Sequence, residues 1–191
     1  MKTLIVNGSP RKNGDTAALI KALTQHLHGD VWEASAHYDN ISPCVDCRMC
    51  WQNPGCAIDD DMQEVYRYLQ DCDNVVLASP IWFSALSGPM MNLASRLQTY
   101  FAAGHFRGES SGLTPKRGVL LLAGAEPGTE KPAMATARTI LKLMNALPCV
   151  ATVTSMRTDQ TPAAEDKVAM AEAKAAAELL NKLAGESIRK K

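Results

Sequence analysis

The sequence predicts an α/β fold, a three-layer sandwich in which a five-stranded parallel sheet carries helices on both faces. Three observations lead there. Short, uninterrupted apolar runs recur at Leu4–Val6, Val75–Ala78 and Val119–Leu122, as in strands covered on both sides. The segments between them place apolar residues at helical spacing. Each crossover is also long enough to hold a helix, which parallel neighbours need.

The first strand ends at Val6, and Asn7 to Asp15 is a cluster of turn-forming residues. From Thr16 the pattern becomes helical, with Leu19, Ile20, Leu23 and Leu27 on one face. A strand, a loop of small residues and a helix start make an anion site, because free amides at the helix N-terminus point into the loop. Ser9 and Thr16 add hydroxyls, Arg11 adds a permanently charged fork, and the loop suits one phosphate monoester. Two other phosphate loops are excluded. The triphosphate loop ends in Gly-Lys-Ser/Thr, whereas this one ends Gly14-Asp15-Thr16. The dinucleotide fingerprint needs three spaced glycines, and only Gly8 and Gly14 are present. The plainer alternative is a connector loop capped by Asp15.

Val31 to Tyr38 gives a second strand with a modest apolar signal. Asp59-Asp60-Asp61 opens a helix, acids first where the macrodipole favours them, with Met62, Val65, Tyr66 and Leu69 on one side. Asn74 begins a buried third strand that ends at Ser79-Pro80. From Pro89, a helix is marked by Met90, Leu93, Ala94, Leu97 and Phe101. A loop from Gly104 to Pro115 precedes the fourth strand, Gly118–Gly124. A helix over Pro132–Ala146, a fifth strand over Val150–Met156 and an alanine-rich helix over Pro162–Ala184 complete the chain.

In such sheets ligands sit beyond the carboxyl ends of the strands, where strand order reverses. The loops Gly8–Asp15, Pro80–Gly88 and Gly124–Gly128 should therefore border one pocket. The second of these sets Trp82 and Phe83 beside small polar residues, which suits a flat aromatic ligand, although the two rings could equally fill a hydrophobic corner. One phosphate and one flat ring system describe FMN.

Between the second strand and the second helix lies an insertion at about residues 42–58 carrying Cys44, Cys47, Cys50 and Cys56, a C-x2-C-x2-C-x5-C array. Two-residue gaps let thiolates converge without regular secondary structure, and Pro54-Gly55 supplies the reversal that returns Cys56 to the others. This spacing favours a [4Fe–4S] cluster. Structural zinc is the rival, though it more often takes two separated pairs, and free thiols or a redox disulfide remain open. Cys72 and Cys149 adjoin apolar strands as small buried hydrophobes, and Asp46 and Arg48 should face solvent. The four histidines show no ligand spacing, and no side chain is assigned as a general acid or base.

The 191 residues fit one domain with a full core, and 46% apolar residues argue against disorder. Twenty acids balance twenty bases, so neither nucleic acid nor an anionic membrane is the expected partner. A strand starting almost at Met1 leaves no space for a signal peptide, and the expectation is a cytoplasmic protein without membrane spans.

VNGSPRKNGDT, PCVDCRMCWQNPGC followed by IDDDM, and ASPIWFSALSGPMMN resemble the NADPH-dependent FMN reductase-like branch of flavodoxin-like proteins, in particular the iron–sulfur flavoproteins. The similarity runs over nearly the whole chain, and the four-cysteine array is its most specific mark. The resemblance implies a flavodoxin-like sheet in 2-1-3-4-5 order and non-covalent FMN. Ser9, Arg11, Asn13 and Thr16 would then hold the phosphate, with Asp15 among them, while Pro80, Ile81, Trp82 and Phe83 line the ring and Ser84 lies nearby. The arrayed cysteines would ligate the cluster. Asp15 stands where relatives often have Asn, so its carboxylate must turn away from a phosphate and cap the helix, or weaken binding. Some relatives keep only part of the array and no cluster. The expected function is an FMN-dependent oxidoreductase relaying electrons between flavin and cluster, with NAD(P)H or a ferredoxin as donor, in a homodimer or homotetramer. A cluster-free NAD(P)H-dependent FMN or quinone reductase and a non-enzymatic electron carrier are the alternatives.

Overall fold

The computed structural model describes residues 1–186. Its elements in chain order are β1 (Lys2–Asn7), α1 (Asp15–Thr24), β2 (Asp30–Ser35), α2 (Met49–Gln52), α3 (Met62–Asp71), β3 (Asn74–Trp82), β4 (Ala85–Leu86), α4 (Gly88–Ser95), α5 (Gln98–Phe106), β5 (Arg117–Gly124), α6 (Glu130–Leu143), β6 (Cys149–Met156), a 3-10 turn (Ala163–Glu165) and α7 (Lys167–Leu183). Five strands run parallel in the order β2-β1-β3-β5-β6, the flavodoxin-like arrangement. Because β4 is an added two-residue strand, β5 and β6 are the fourth and fifth strands expected from sequence.

The central strands are apolar throughout because both faces are covered. Leu4, Val6, Val75, Leu77, Leu120 and Leu122 meet α3, α4 and α6 on one side. Ile5, Val76, Val119 and Leu121 meet α1 and the alanine face of α7 on the other. Alanine suits α7 because small side chains let that helix lie close to the sheet; Ala173 and Ala177 are wholly buried. Among the described residues no helix is long and apolar enough to cross a membrane.

Three differences from the sequence reading matter for the site. β3 does not stop at Pro80 but continues to Trp82 and turns back through Phe83 and Ser84, both left-handed (φ 52° and 60°), into antiparallel β4. The helix expected over Pro89–Phe101 is two helices. The amides of Arg96 and Leu97 reach back three residues, to Leu93 and Ala94, in a tightened turn between α4 and α5. The cysteine insertion contains one helical turn, α2, where none was expected.

The register brings the carboxyl ends of the strands to one edge. Asn7 is level with Ala78, and Pro80 with Ala123. Chain order reverses between β1 and β3, and there the Gly8 amide donates to the Ala78 carbonyl (2.8 Å), fixing the start of the β1–α1 loop.

Candidate functional site

The β1–α1 loop is folded by its own polar groups. The Asn7 side-chain oxygen accepts from the Ser9 amide (2.9 Å) while its nitrogen donates to Glu33 on β2 (2.9 Å). The Ser9 hydroxyl accepts from the Arg11 amide (3.2 Å). From outside, Tyr38 donates its phenol to the Pro10 carbonyl, and the Lys12 ammonium lies 4.8 Å from the Tyr38 ring centre. Gly8 allows the loop to pass close to α4. A Cβ there would stand 2.8 Å from Ser87 Oγ and 2.9 Å from Met90 Cβ. Ser87 uses this proximity, donating to the Gly8 carbonyl (2.6 Å) while accepting from the Met90 amide (3.3 Å) to cap α4.

Gly14 occupies the cap position of α1, and no side chain caps this helix. The amides of its first turn therefore keep their capacity to bind an anion. Asp15 does not cap the helix as the sequence suggested. Its carboxylate turns away, accepting from the Ala163 amide (2.9 Å) and lying 3.8 Å from the exposed Arg11 guanidinium.

A cavity of about 190 Å³ opens beside this helix end. Ser9, Arg11, Asp15, Thr16, Pro80, Ile81 and Trp82 all line it, so seven of the ten residues singled out for a phosphorylated ring ligand share one space. Ala123, Gly124 and Ala125, from the end of β5 and the loop after it, form its third wall. Ser9 and Thr16 are nearly buried, whereas Trp82 is 44% exposed at the rim. The other three stand elsewhere. Asn13 lines a larger groove of about 660 Å³ on the β2 side of the same loop, with Lys12, Glu33 and Tyr38. Phe83 is wholly exposed at the tip of the β3–β4 turn, with Ser84 beside it. Thr158, which follows β6 and also lines the smaller cavity, escaped the sequence reading. It sits in a polar run with no motif around it.

The four arrayed cysteines line a second cavity, of about 450 Å³, together with Trp51, Arg96, Phe101 and Phe106. None is disulfide-bonded. Cys44 and Cys47 are exposed, Cys50 and Cys56 half-buried. Burial, and then the nearness of Cys44, pushes the Cys50 thiol up. Among the described residues no three His, Cys, Asp or Glu side chains close to metal-ligand geometry. The donor set of four free thiols around one cavity fits a thiophilic centre; the spread of the thiols means that ligation would draw them inward. Asp46 and Arg48 face solvent, as expected.

The insertion is fastened at several points. Trp51 stacks on Phe106 of α5 with ring centres 3.9 Å apart, and Arg107 donates to the Cys50 carbonyl. The Cys44 amide donates to Ser95 Oγ (2.9 Å), and Gln63 donates to the Cys56 and Ile58 carbonyls (3.2 and 2.7 Å). Cys72 is a core residue, as the sequence suggested, and burial pushes its thiol up to about 12. Cys149, expected to be buried like Cys72, is instead half-buried at the start of β6.

Residues 1–161 match the NADPH-dependent FMN reductase family. The chain belongs to this family. Curated relatives include an iron–sulfur flavoprotein of Methanocaldococcus jannaschii, 29% identical over 99 residues (50% of this chain, 51% of that one). Another, from Archaeoglobus fulgidus, is 31% identical over 109 residues (54% and 55%). The chain thus spans about half the length of the curated relatives it matches. Among solved structures, an NAD(P)H:quinone oxidoreductase from Methanothermobacter marburgensis superposes with a TM-score of 0.69 at 15% identity, over 95% of this chain and 97% of that one. An FMN-dependent NADH-azoreductase from Bacillus anthracis, solved with FMN, gives 0.69 at 13% identity, over 94% and 98%. At these identities the likeness is one of fold.

Proposed function

We propose that this chain is a single-domain, FMN-dependent oxidoreductase of the cytoplasm that exchanges electrons between flavin and an iron–sulfur centre. The observation that carries the flavin half is the uncapped start of α1, opening with Ser9 and Thr16 into the same cavity as Pro80, Ile81 and Trp82. Thr16 and the first-turn amides would donate to the phosphate, with Ser9 and Arg11 beside them. Asp15, held by the Ala163 amide, stays out of the way. Pro80 and Ile81 give the cavity an apolar wall, and Trp82 at the rim offers a face for stacking.

The iron–sulfur half rests on Cys44, Cys47, Cys50 and Cys56 sharing one cavity and on the names of relatives that match half the chain. Bound there, FMN would supply two-electron acceptance with one-electron release, and a cluster one-electron transfer. NAD(P)H suits the family as donor, with a ferredoxin as the protein alternative, and the working form is a homodimer or homotetramer. A second reading, a cluster-free NAD(P)H-dependent FMN or quinone reductase, is favoured by the distance of the thiols from ligand geometry.

Anaerobic purification followed by flavin, iron and sulfide assays separates the two. The first reading expects brown protein with flavin, iron and sulfide all stoichiometric with the chain. Yellow, iron-free protein that oxidises NAD(P)H in steady state selects the second. Protein without flavin contradicts both.

A further inference from the structure

Arg96 is among the largest wholly buried side chains of the molecule, although it carries a permanent charge. It sits in the tightened turn between α4 and α5, and its guanidinium points under the cysteine insertion. Nη1 donates to the Ser42 carbonyl (2.9 Å) and to the Asp60 carboxylate (2.6 Å), and Nη2 donates to the Ile58 carbonyl (3.2 Å). Ser42 and Ile58 are the two ends of the insertion, so one planar group ties its neck shut. The backbone of Arg96 is fixed as well, its carbonyl accepting from the buried Tyr66 phenol (2.7 Å).

Three acceptors do not exhaust the fork. Nε is buried and has no hydrogen-bond partner, one of only two such side-chain atoms among the described residues. An orphaned buried donor is costly, and its presence in a native protein calls for a partner. Arg96 lines the cysteine cavity with Cys56, two residues from the Ile58 carbonyl that Nη2 holds, so the acceptor this cavity offers is thiol sulfur. Burial works against the Arg96 charge, but the Asp60 carboxylate holds its proton more firmly than usual.

Resting on the iron–sulfur reading above, we propose that Arg96 is the positioning residue of the cysteine centre, closing the neck of the insertion and offering its spare N–H to sulfur held at Cys56. A hydrogen bond from a cation to a cluster sulfur stabilises the more negative, reduced state, so the arginine raises the reduction potential. It also makes the centre harder to lose, because Cys44 and Cys56 cannot drift apart while Ser42 and Ile58 share one guanidinium.

Removing Arg96 alone would strand the Asp60 carboxylate in the interior, so the test uses Arg96→Lys, which keeps the charge, and the double variant Asp60→Asn/Arg96→Gln, which removes both charges together. Wild type and both variants are purified anaerobically. Flavin content, the rate of iron loss to a ferrous chelator and the midpoint potential from an EPR-monitored titration are measured. Both variants are expected to keep flavin and to lose iron at least tenfold faster than wild type. The double variant's cluster should shift negative by at least the equivalent of a tenfold change in the oxidised-to-reduced ratio, about 59 mV for one electron. Arg96→Lys should recover part of that shift. Wild-type rates and potentials in both variants overturn the role of Arg96 while leaving the iron–sulfur reading intact, and so does loss of flavin in step with iron. Wild-type protein without iron overturns both.

Discussion

A carboxylate inside a phosphate loop opposes an anion unless it is held elsewhere, and Asp15 is held by the Ala163 amide at 2.9 Å. Asn could accept the same bond without the charge. Asp15→Asn is therefore expected to tighten FMN about threefold, while costing about 0.5 kcal/mol of stability through the lost charge at the start of α1. Calorimetric titration and chemical denaturation check the two effects separately. Thr16 works in the other direction. It is 2% exposed and lines the cavity, and its hydroxyl would bond a charged group. Thr16→Ala should weaken FMN about tenfold with little change in unfolding midpoint. Both residues could be picked out from sequence because a βα turn has few ways to present donors. Thr158 could not, since only the end of β6 brings it to the cavity.

At the scale of elements, the site depends on how α4 and the insertion are seated. Gly8→Ala would drive a methyl group into Ser87 and Met90 and is expected to cost about 1–3 kcal/mol, measured by urea denaturation, with FMN affinity falling because the β1–α1 loop shifts. The insertion has an acid-labile joint. Although burial opposes its charge, bonding to Arg96 leaves the Asp60 carboxyl below its ordinary 3.8. A lowered folded value stabilises the fold above that pH, and the contribution is lost as pH falls through the folded value. Asp60→Asn should thus be less stable than wild type at pH 7 by about 3 kcal/mol, and the gap should narrow as pH drops below 3.8. Denaturation at pH 7 and pH 3 measures it.

The same elements show where sequence patterns stop being informative. Leu93, Leu97 and Phe101 keep helical spacing straight through the break at Arg96, so periodicity alone gives one helix. The feature that marks the break is an ion pair with Asp60, 36 residues away. Pro80 likewise reads as a strand end because proline lacks an amide to donate. It lies near the end of the parallel ladder, level with Ala123, and β3 continues past it into a hairpin. That hairpin leaves Phe83 in solvent, away from the cavity that Trp82 borders.

For the molecule as a whole, the parallel sheet and the edge that bears the cavity beside α1 were legible because they follow from few rules, whereas the strand order came from the family resemblance. Continuous apolar runs give buried parallel strands, right-handed crossovers give helices on both faces, and the reversal between β1 and β3 opens a crevice at the carboxyl edge. The cysteine centre was legible as a set of four residues and not as a geometry, because the loop is shaped by Arg96, Gln63, Trp51 and Arg107, which no spacing rule connects to it.

The central claim is that the start of α1 recognises a phosphate and thereby chooses the flavin. Titrating flavin-stripped protein with FMN and with riboflavin, under the same conditions, tests it most directly. FMN should bind about 100-fold more tightly, close to 2.7 kcal/mol, and Thr16→Ala should shrink that preference. Equal affinity for the two flavins, or an unchanged preference in Thr16→Ala, would contradict it.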